Sequence, residues 1–306
     1  MSDPKSLRVG IIGLGSMGMG AALNLVKAGH IVCGAELREA ARDELVAAGG
    51  QAVAQSAGLP VGLQALVVFV VNAAQVDDVL FGEHGCLDRL APGAVVLCCT
   101  TVAPEYARSL GARLEARQLR LLDAPVSGGM GAARGGTMTV MASGSPAAFD
   151  AAEPVLDAVA GKVWRLGDDA GIGSTIKMVN QLLAGVHIAV AAEAMALGIR
   201  AGADPQTLFE VISSSAGSSW MWQNRIPHVL AGDDTPLSAV NIFVKDLGIV
   251  LDQARALTFP LPMASSAHQL FLAAAAMGQG ARDDAFVIRV WEKLAGIALP
   301  DGAKHK

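Results

Sequence analysis

The residues from Leu7 to Gly29 constrain the fold of this chain more than any other segment. A short β-branched run enters the sequence GLGSMG, and apolar residues then recur at helical spacing, which predicts a strand, a tight turn and a helix. In such a turn Gly13 permits the bend, Gly15 lets the backbone approach a pyrophosphate, and Gly18 lets the helix pack closely on the strand. The start of the helix also offers unpaired N–H groups to an anion. We therefore predict that a dinucleotide binds at Gly13, Leu14, Gly15, Ser16, Met17 and Gly18.

An acidic residue at the end of the second predicted strand bears on the choice of dinucleotide. Glu36 lies 18 residues after Gly18, where a carboxylate can accept hydrogen bonds from the adenosine ribose. The same carboxylate would repel the 2′-phosphate of NADP, and the next residue, Leu37, cannot bind a phosphate. NAD is therefore the predicted cofactor. Arg38, one position further on, either contacts a phosphate of NADP or is a solvated residue of the following helix. The second interpretation is the simpler one.

Strand-like and helical segments alternate as far as Gly167. The runs typical of buried strands are LQALVVFVV, GAVVLCCTT, QLRLLDAPV and TMTVMASG. This alternation predicts a mostly parallel, doubly wound sheet of the α/β class. Residues 171–202 have helical spacing and no strand run follows them. We predict an NAD-binding domain over residues 1–168 and an all-helical domain over residues 169–306 that includes a long interdomain helix.

Length and charge limit the classes of partner. A chain of 306 residues is long enough for two domains, since a single core stops growing at about 250–300 residues. The formal net charge of −5 leaves no basic excess for a nucleic acid. The uncharged runs are shorter or more interrupted than the roughly 20 apolar residues that span a bilayer, and no apolar signal segment opens the chain. We expect a cytoplasmic protein without a nucleic-acid or membrane partner.

The cysteines and histidines have no metal-binding spacing. Cys33 and Cys86 are isolated, and the Cys98–Cys99 pair lies in a strand-like run, where cysteine behaves as a small hydrophobic residue. The six histidines form no HxxxH or HExxH pattern. The sequence therefore predicts neither a disulfide framework nor a metal site.

Two further features leave alternatives open. Residues 122–141 are rich in glycine and almost uncharged, as surface linkers between domains often are. Lys177 lies three residues before Asn180, so the two side chains share one face of a predicted helix. Lys177 either extends its charge to solvent or lies in a cleft, where desolvation favours the neutral amine and suits it to proton transfer. Lys245, which precedes Asp246, poses the same alternative.

Four motifs occur in the order of one known family. They are GLGSMGMGAALNLVKAGH at residues 13–30, DAPVSGG with a later GT at 123–137, GxGxxxKxxN at 171–180, and KDL at 245–247. Together they resemble the β-hydroxyacid dehydrogenases, the 3-hydroxyisobutyrate dehydrogenase family, over nearly the whole chain. The resemblance implies an N-terminal Rossmann domain, a long helix, an all-helical C-terminal domain, and the oxidation of a small hydroxy acid with NAD.

The resemblance assigns roles to particular positions. It implies that Ser127, Gly128 and Gly129 hold the substrate carboxylate through the serine hydroxyl and backbone N–H groups. Such close approach to an anion requires glycine, which accounts for the glycine-rich, almost uncharged composition of residues 122–141. Lys177 matches the general acid/base of the family, and Asn180 matches the residue that orients the substrate.

Other matched positions bear on the nicotinamide and on the substrate. Thr101 and Lys245 match residues near the nicotinamide, and Val71–Asn72 stand where the family usually has Leu-Pro. Gln181 replaces the second asparagine of a common pair and is a candidate substrate-binding residue. Cys98–Cys99 replace an Asp-Met pair of the family. These departures remove no catalytic group.

Residues 214–265 most resemble the branch of the family that oxidises the four-carbon sugar acid L-threonate to its 2-oxo product. A polyol acid needs several hydrogen-bonding groups, because an unpaired buried hydroxyl is unfavourable. The candidate donors are Gln181, Ser219, Asn224 and Arg225. Trp220 and Trp222 either line the same pocket or pack the helical domain or a subunit interface.

Three alternatives remain beside this expectation. The substrate could be 3-hydroxyisobutyrate, or the reaction could be the reduction of tartronate or succinic semialdehyde. A non-catalytic NAD-binding sensor is the alternative from another class. The resemblance also implies a homodimer or homotetramer, for which the alanine-rich helix over residues 174–198 offers apolar surface.

Overall fold

A computed structural model describes residues 6–300 of the chain. They form two compact units, the first ending at Lys177 and the second beginning at Met178. The predicted domain division lies earlier, between residues 168 and 169, before the long helix that enters both units. That earlier division stays a prediction.

The first unit is built on parallel strands. Its strands are β1 Arg8–Ile12, β2 Ile31–Ala35, β3 Gln51–Val53, β4 Leu63–Val68, β5 Leu90–Cys98, β6 Arg120–Asp123, β7 Val126–Ser127, β8 Met138–Ala142 and β9 Ala160–Arg165. The first six form one parallel sheet in the order β3-β2-β1-β4-β5-β6. This order is typical of dinucleotide-binding doubly wound folds. The remaining three form a smaller sheet, in which β7 is antiparallel and β9 parallel to β8.

Helices cover both faces of the larger sheet. They are α1 Ser16–Lys27, α2 Glu39–Ala47, α3 Ala73–Phe81, α4 Pro104–Glu115, α5 Gly129–Arg134, α6 Pro146–Val159 and the start of α7 Ile172–Arg200. The strands are apolar on both faces because both faces are buried. Along β4, Val67 packs in the hydrophobic cluster that contains α1 and α6 residues, whereas the adjacent Leu66 and Val68 pack in the cluster that contains α3 and α4 residues.

The described part of the second unit contains no extended strand. Its helices are the rest of α7, α8 Pro205–Ser213, α9 Trp220–Ala231, α10 Val240–Ala256, α11 Pro262–Ala274 and α12 Arg289–Ala295, with a π-turn at Ala275–Gln279 and a 3-10 turn at Asp284–Ile288. Met195 of α7, Leu247 of α10 and Phe271 of α11 are completely buried in one core. The aromatic rings of Phe243 and Phe271 stack within it.

Helix α7 is long and apolar enough to cross a membrane, judged by length and composition alone. Nearly half of its most apolar window, 44%, is buried within the fold, where Ile188, Ala192 and Met195 contribute to the core of the second unit. Core helices of globular proteins pass the same composition test, and we interpret α7 as one of them.

The predicted α/β fold, a doubly wound parallel sheet followed by helices, is confirmed. The interpretation of residues 122–141 as a flexible linker is wrong, because this stretch contains β7, α5 and β8. Helix α5 packs against α1, where the Asn24 side-chain amide donates hydrogen bonds to the carbonyl oxygens of Ala133 and Arg134 at 2.9 and 3.1 Å. Strands β3 and β7 have no clear sequence signal because they have only three and two residues, and β9 has none because most of its residues are exposed and most are polar or small.

Candidate active site

The turn between β1 and α1 has the geometry of a dinucleotide cradle. Gly13 has a φ of +87°, and its N–H donates to the carbonyl oxygen of Ala35 at 3.0 Å. A Cβ on Gly18 would lie 1.8 Å from the carbonyl oxygen of Gly13, so only glycine lets α1 begin this close to β1. A Cβ on Gly15 would meet no atom within 4 Å, and no side chain caps the helix there. The turn therefore opens to one side, where the N–H groups of Ser16 and the residues beside it can meet a pyrophosphate.

The Glu36 carboxylate lies directly beside this turn. Its Oε2 accepts the backbone N–H of Leu14 at 2.9 Å, and its Oε1 accepts the backbone N–H of Arg38 at 3.1 Å. Partial burial acts to raise the pKa of Glu36, but the hydrogen bonds and charge of Arg38, with the Leu14 N–H, hold it below its usual range. The ionised carboxylate is thus fixed beside the β1–α1 turn.

The simpler interpretation of Arg38 as a solvated residue holds for its side chain, which is 63% exposed, but not for its place on the helix. The residue precedes α2 rather than lying on it, and its guanidinium forms an ion pair with Glu36 at 3.1 Å. The same guanidinium donates to the carbonyl oxygen of Leu14 at 2.9 Å. Arg38 therefore stiffens the turn that holds Glu36. The neighbouring Leu37 is 78% exposed and presents an apolar surface there.

Val71, Asn72 and Thr101 follow the carboxyl ends of β4 and β5. Strand β4 ends beside β1, since the N–H of Phe69 donates to the carbonyl oxygen of Ile12 at 2.8 Å. Strand β5 ends beside β4, since the N–H of Cys99 donates to the carbonyl oxygen of Val68 at 3.0 Å. The carboxyl edge of a parallel sheet is where ligands bind in this fold class. Asn72 caps α3 through a 2.9 Å bond from the N–H of Gln75. The polar side chain of Asn72 is thus used within the turn, while the Val71 side chain is 48% exposed.

The predicted carboxylate-binding residues lie where β7 meets α5. Ser127 ends β7, Gly128 has a φ of +127° and Gly129 a φ of +69°. A Cβ on Gly128 would lie 2.5 Å from the Cβ of Ala132, whereas one on Gly129 would meet nothing within 4 Å. Gly129 is therefore required by its backbone conformation and leaves open space beside the chain. This arrangement can present backbone N–H groups to an anion.

Asp123 anchors the start of α7 and was not singled out from the sequence. Its buried carboxylate accepts the N–H groups of Gly171 and Ser174 at 2.9 and 2.8 Å and the Ser174 hydroxyl at 2.7 Å. Burial raises the pKa of Asp123, while these donors act to lower it. The sequence contains a signal for this role, because Asp123 is the first residue of the DAPVSGG motif and Gly171 is the first residue of the GxGxxxKxxN motif.

Lys177 lies one turn beyond this cap on α7. Only 8% of the residue is exposed, so it does not extend its ammonium to solvent. The alternative of a solvated surface lysine is therefore wrong. A buried lysine next to a capped helix start has a defined position, as a proton-transfer group requires.

In the second unit, four polar side chains form one chain of contacts. The Asn180 amide nitrogen donates to Gln181 Oε1 at 2.9 Å, and the Gln181 amide nitrogen donates to Asp246 Oδ2 at 2.5 Å. Lys245 Nζ lies 2.6 Å from Asp246 Oδ1. Asp246 is 2% exposed and Gln181 is 8% exposed. Lys245, predicted near the nicotinamide, is therefore held by Asp246, a residue that the sequence analysis left without a role.

The other candidate donors have structural partners. Arg225 forms a buried ion pair with Asp284 at 2.6 Å and also donates to the side chain of Asn224. Ser219 caps α9 by accepting the N–H of Trp222 at 3.0 Å. Trp222 is buried in the core of the second unit and, with Ser219, also lines a cavity beside α7, so the ring both packs the domain and borders a pocket. Trp220, in contrast, is 57% exposed.

Comparison with known proteins agrees with this geometry. Residues 8–167 match the model of the NAD-binding domain of 6-phosphogluconate dehydrogenase. Residues 171–291 match the NAD-binding model of NADP-dependent 3-hydroxyisobutyrate dehydrogenase. These two matches meet at the start of α7 and together cover both units. The chain belongs to the β-hydroxyacid dehydrogenase family.

Full-length relatives support the same assignment. The L-threonate dehydrogenase of Cupriavidus necator is 51% identical over 98% of this chain and all of its own length. The L-threonate dehydrogenase of Escherichia coli K12 is 52% identical over 99% of this chain and all of its own length. A crystal structure described as 3-hydroxyisobutyrate dehydrogenase of Salmonella typhimurium has a TM-score of 0.90 and 51% identity, covering 93% of this chain and all of that one. The chain is an NAD-dependent hydroxyacid dehydrogenase.

Proposed function

We propose that this dehydrogenase oxidises L-threonate at the carbon next to the carboxylate, giving 2-oxo-tetronate (2-dehydro-L-erythronate). The observation that carries the substrate is the identity of about half of all positions, over the full length, with relatives named for L-threonate. The observation that carries the chemistry is the buried Lys177, one turn beyond a capped helix start.

Each residue of the proposed substrate site has a distinct role. Ser127, Gly128 and Gly129 bind the substrate carboxylate through a hydroxyl and backbone N–H groups. Lys177 takes the proton from the reacting hydroxyl oxygen, and Asn180 orients the substrate. NAD, when bound, supplies the hydride acceptor.

The first unit supplies the cofactor contacts in this proposal. The β1–α1 turn, Gly13 to Gly18, binds the pyrophosphate, and Glu36 binds the adenosine ribose and disfavours NADP. Val71, Asn72 and Thr101 border the nicotinamide from the strand ends, and Lys245 contributes from the KDL motif. The NAD-binding domain then comprises residues 1–168 and the helical domain residues 169–306.

We also propose that the enzyme is cytoplasmic and acts as a homodimer or homotetramer. Helix α7 supports self-association because it carries large apolar side chains in exposed positions. These residues are Ile172, Ile176, Val179, Leu183, Val190 and Leu197. Their exposure is between 40% and 69%, which is unusual for a row of such side chains on one helix.

The experiment that tests the substrate follows absorbance of reduced nicotinamide. Purified enzyme receives NAD or NADP with L-threonate, D-threonate, L-erythronate, D-glycerate or 3-hydroxyisobutyrate. We expect the highest kcat/KM with L-threonate and NAD. The Salmonella typhimurium structure, at 51% identity, favours 3-hydroxyisobutyrate as the second candidate. Preferential turnover of that acid would keep the mechanism and replace the substrate.

Lys177→Ala tests the assigned chemistry. Loss of a positioned acid/base group lowers turnover by about 10²–10⁴-fold, while NAD binding, measured by calorimetry, stays near that of the wild type. Lys293→Ala removes an exposed lysine of α12 and serves as the matched control. Near-normal turnover of Lys177→Ala would remove this residue from the mechanism. NAD binding without turnover of any hydroxy acid by the wild type would support the sensor alternative.

A further inference from the structure

We propose that Asp246 is a positioning residue that determines which end of the Asn180 side-chain amide meets the substrate. The inference rests on the proposed function, in which Asn180 orients the substrate. It begins from an acidic side chain that the family motif leaves without a role. Asp246 is 2% exposed, and Lys245 supplies its counter-charge at 2.6 Å.

The hydrogen-bonding chemistry of the contacts sets their direction. A carboxylate paired with an ammonium group only accepts hydrogen bonds. Gln181 must therefore turn its NH₂ group toward Asp246, which leaves its carbonyl oxygen facing the other way. Asn180 must then turn its own NH₂ group toward that oxygen, at 2.9 Å.

The direction of these hydrogen bonds determines which end of the Asn180 amide is available to the substrate. One N–H of the Asn180 amide is used on Gln181, so the Asn180 carbonyl oxygen is the end that faces away from this series of contacts through Lys245, Asp246, Gln181 and Asn180, which we call the relay. Asn180 thus offers the substrate an acceptor, which pairs with a hydroxyl hydrogen. A substrate that carries a second hydroxyl beside the reacting one has such a donor, whereas a methyl group in its place has none. The relay therefore favours polyol acids.

This arrangement gives Gln181, predicted to bind substrate directly, an indirect role. Gln181 is 8% exposed, and both ends of its amide are already hydrogen-bonded within the protein. A glutamine, longer by one methylene than the usual asparagine, bridges Asn180 and Asp246. Gln181 acts on the substrate by holding Asn180 in one orientation.

A double-mutant cycle tests the relay. Gln181→Glu places two carboxylates at hydrogen-bond distance, and we expect kcat/KM to fall about 100-fold. Asp246→Asn leaves either amide end free to face Gln181, and we expect a fall of about tenfold. In the double variant the Asn side chain at position 246 donates to the new glutamate, which still accepts from Asn180. We expect kcat/KM of the double variant to exceed that of Gln181→Glu by at least about tenfold.

Two further readouts separate positioning from folding. Thermal unfolding of all four proteins is measured, and we expect the Tm lowered by Gln181→Glu to rise when Asp246→Asn is added. The dissociation constant for NAD stays constant in Gln181→Glu, because this change leaves both the predicted contacts on the β1–α1 turn and the Lys245–Asp246 ion pair in place. Gln269→Glu, which adds a charge at an exposed position of α11, is the matched control and leaves Tm and kcat/KM unchanged.

The outcomes are distinct. If the double variant is no better than Gln181→Glu in both kcat/KM and Tm, the relay is wrong. If only the Tm recovers, the contact exists but Asp246 does not position Asn180, and the proposal is overturned. The cycle uses whichever hydroxy acid the wild type oxidises best, so an incorrect choice of L-threonate does not affect it. Absence of turnover with every acid would refute the proposed function, and with it the role of Asp246.

Discussion

At the scale of single residues, Glu36 is the group whose charge bears most directly on the cofactor. Its side chain is 12% exposed and is held by the backbone N–H of Leu14 and by Arg38. These partners lower the pKa of Glu36 despite its partial burial, so the carboxylate is ionised near neutral pH. A fixed negative charge there accepts ribose hydroxyls and repels a 2′-phosphate.

Replacement of Glu36 by alanine should weaken the preference for NAD over NADP. The change removes the ribose acceptor and frees the Arg38 guanidinium to meet a phosphate. A hydrogen bond to a charged group contributes about 1.5–3 kcal/mol, so the ratio of kcat/KM values for NAD and NADP should fall by about 10–150-fold. Initial rates with both cofactors measure this ratio. Glu39→Ala, at an exposed acidic position of α2, is the control, and an unchanged ratio in Glu36→Ala would contradict the role.

At the scale of secondary-structure elements, the start of α7 is held to the sheet by one carboxylate. Asp123 ends β6 and accepts hydrogen bonds from Gly171 and Ser174. A Cβ on Gly173 would lie 2.4 Å from the carbonyl oxygen of Met141, so the helix also begins in close contact with β8. Lys177 owes its position to this docked first turn.

Asp123→Asn should therefore affect both stability and turnover. The amide keeps one acceptor but turns an NH₂ group toward N–H or O–H donors, which costs about 1–3 kcal/mol of unfolding free energy. Because Lys177 lies one turn further along α7, we also expect a lower kcat. Denaturant unfolding and initial rates measure the two effects. Asp157→Asn, on the exposed face of α6, is the control, and equal stability of Asp123→Asn and wild type would refute the capping role.

At the scale of the whole molecule, the exposed apolar residues of α7 predict self-association. Ile176, Leu183, Val190 and Leu197 recur every seven residues and are 43–69% exposed. A sustained seven-residue apolar repeat is typical of helices that pair with another helix. Light scattering after gel filtration should show a dimer or larger species at micromolar concentration.

A charge on this row should oppose association. We expect Leu183→Glu to shift the enzyme toward the monomer, because association would bury an unpaired carboxylate. Leu257→Glu, at a position that is 66% exposed and lies outside α7, should leave the mass unchanged. A monomeric wild type would contradict the proposed oligomer.

The order of elements and the conformation of the β1–α1 turn were predictable because their signals are local. The turn glycines Gly13 and Gly18 lie within six residues of each other, and their backbone requirements follow from the turn itself. Strand and helix periodicity is equally local, so the doubly wound sheet and the helical second half were predicted correctly. Around residues 122–141, strands β6 and β8 were expected from their apolar runs, but two-residue strand β7 and six-residue helix α5 were not, since both depend on packing against β8 and α1.

Residue type and short-range spacing predicted the fold class and the cofactor turn, whereas Ser127 and Lys177 received their roles only through the resemblance of the longer motifs to a known family. Only the tertiary structure decided which distant side chains meet. Asp123 bonds to Ser174 across 51 positions, and Gln181 bonds to Asp246 across 65. Such partners are set by how strands and helices pack, since a hydrogen bond forms only when packing brings donor and acceptor to about 3 Å.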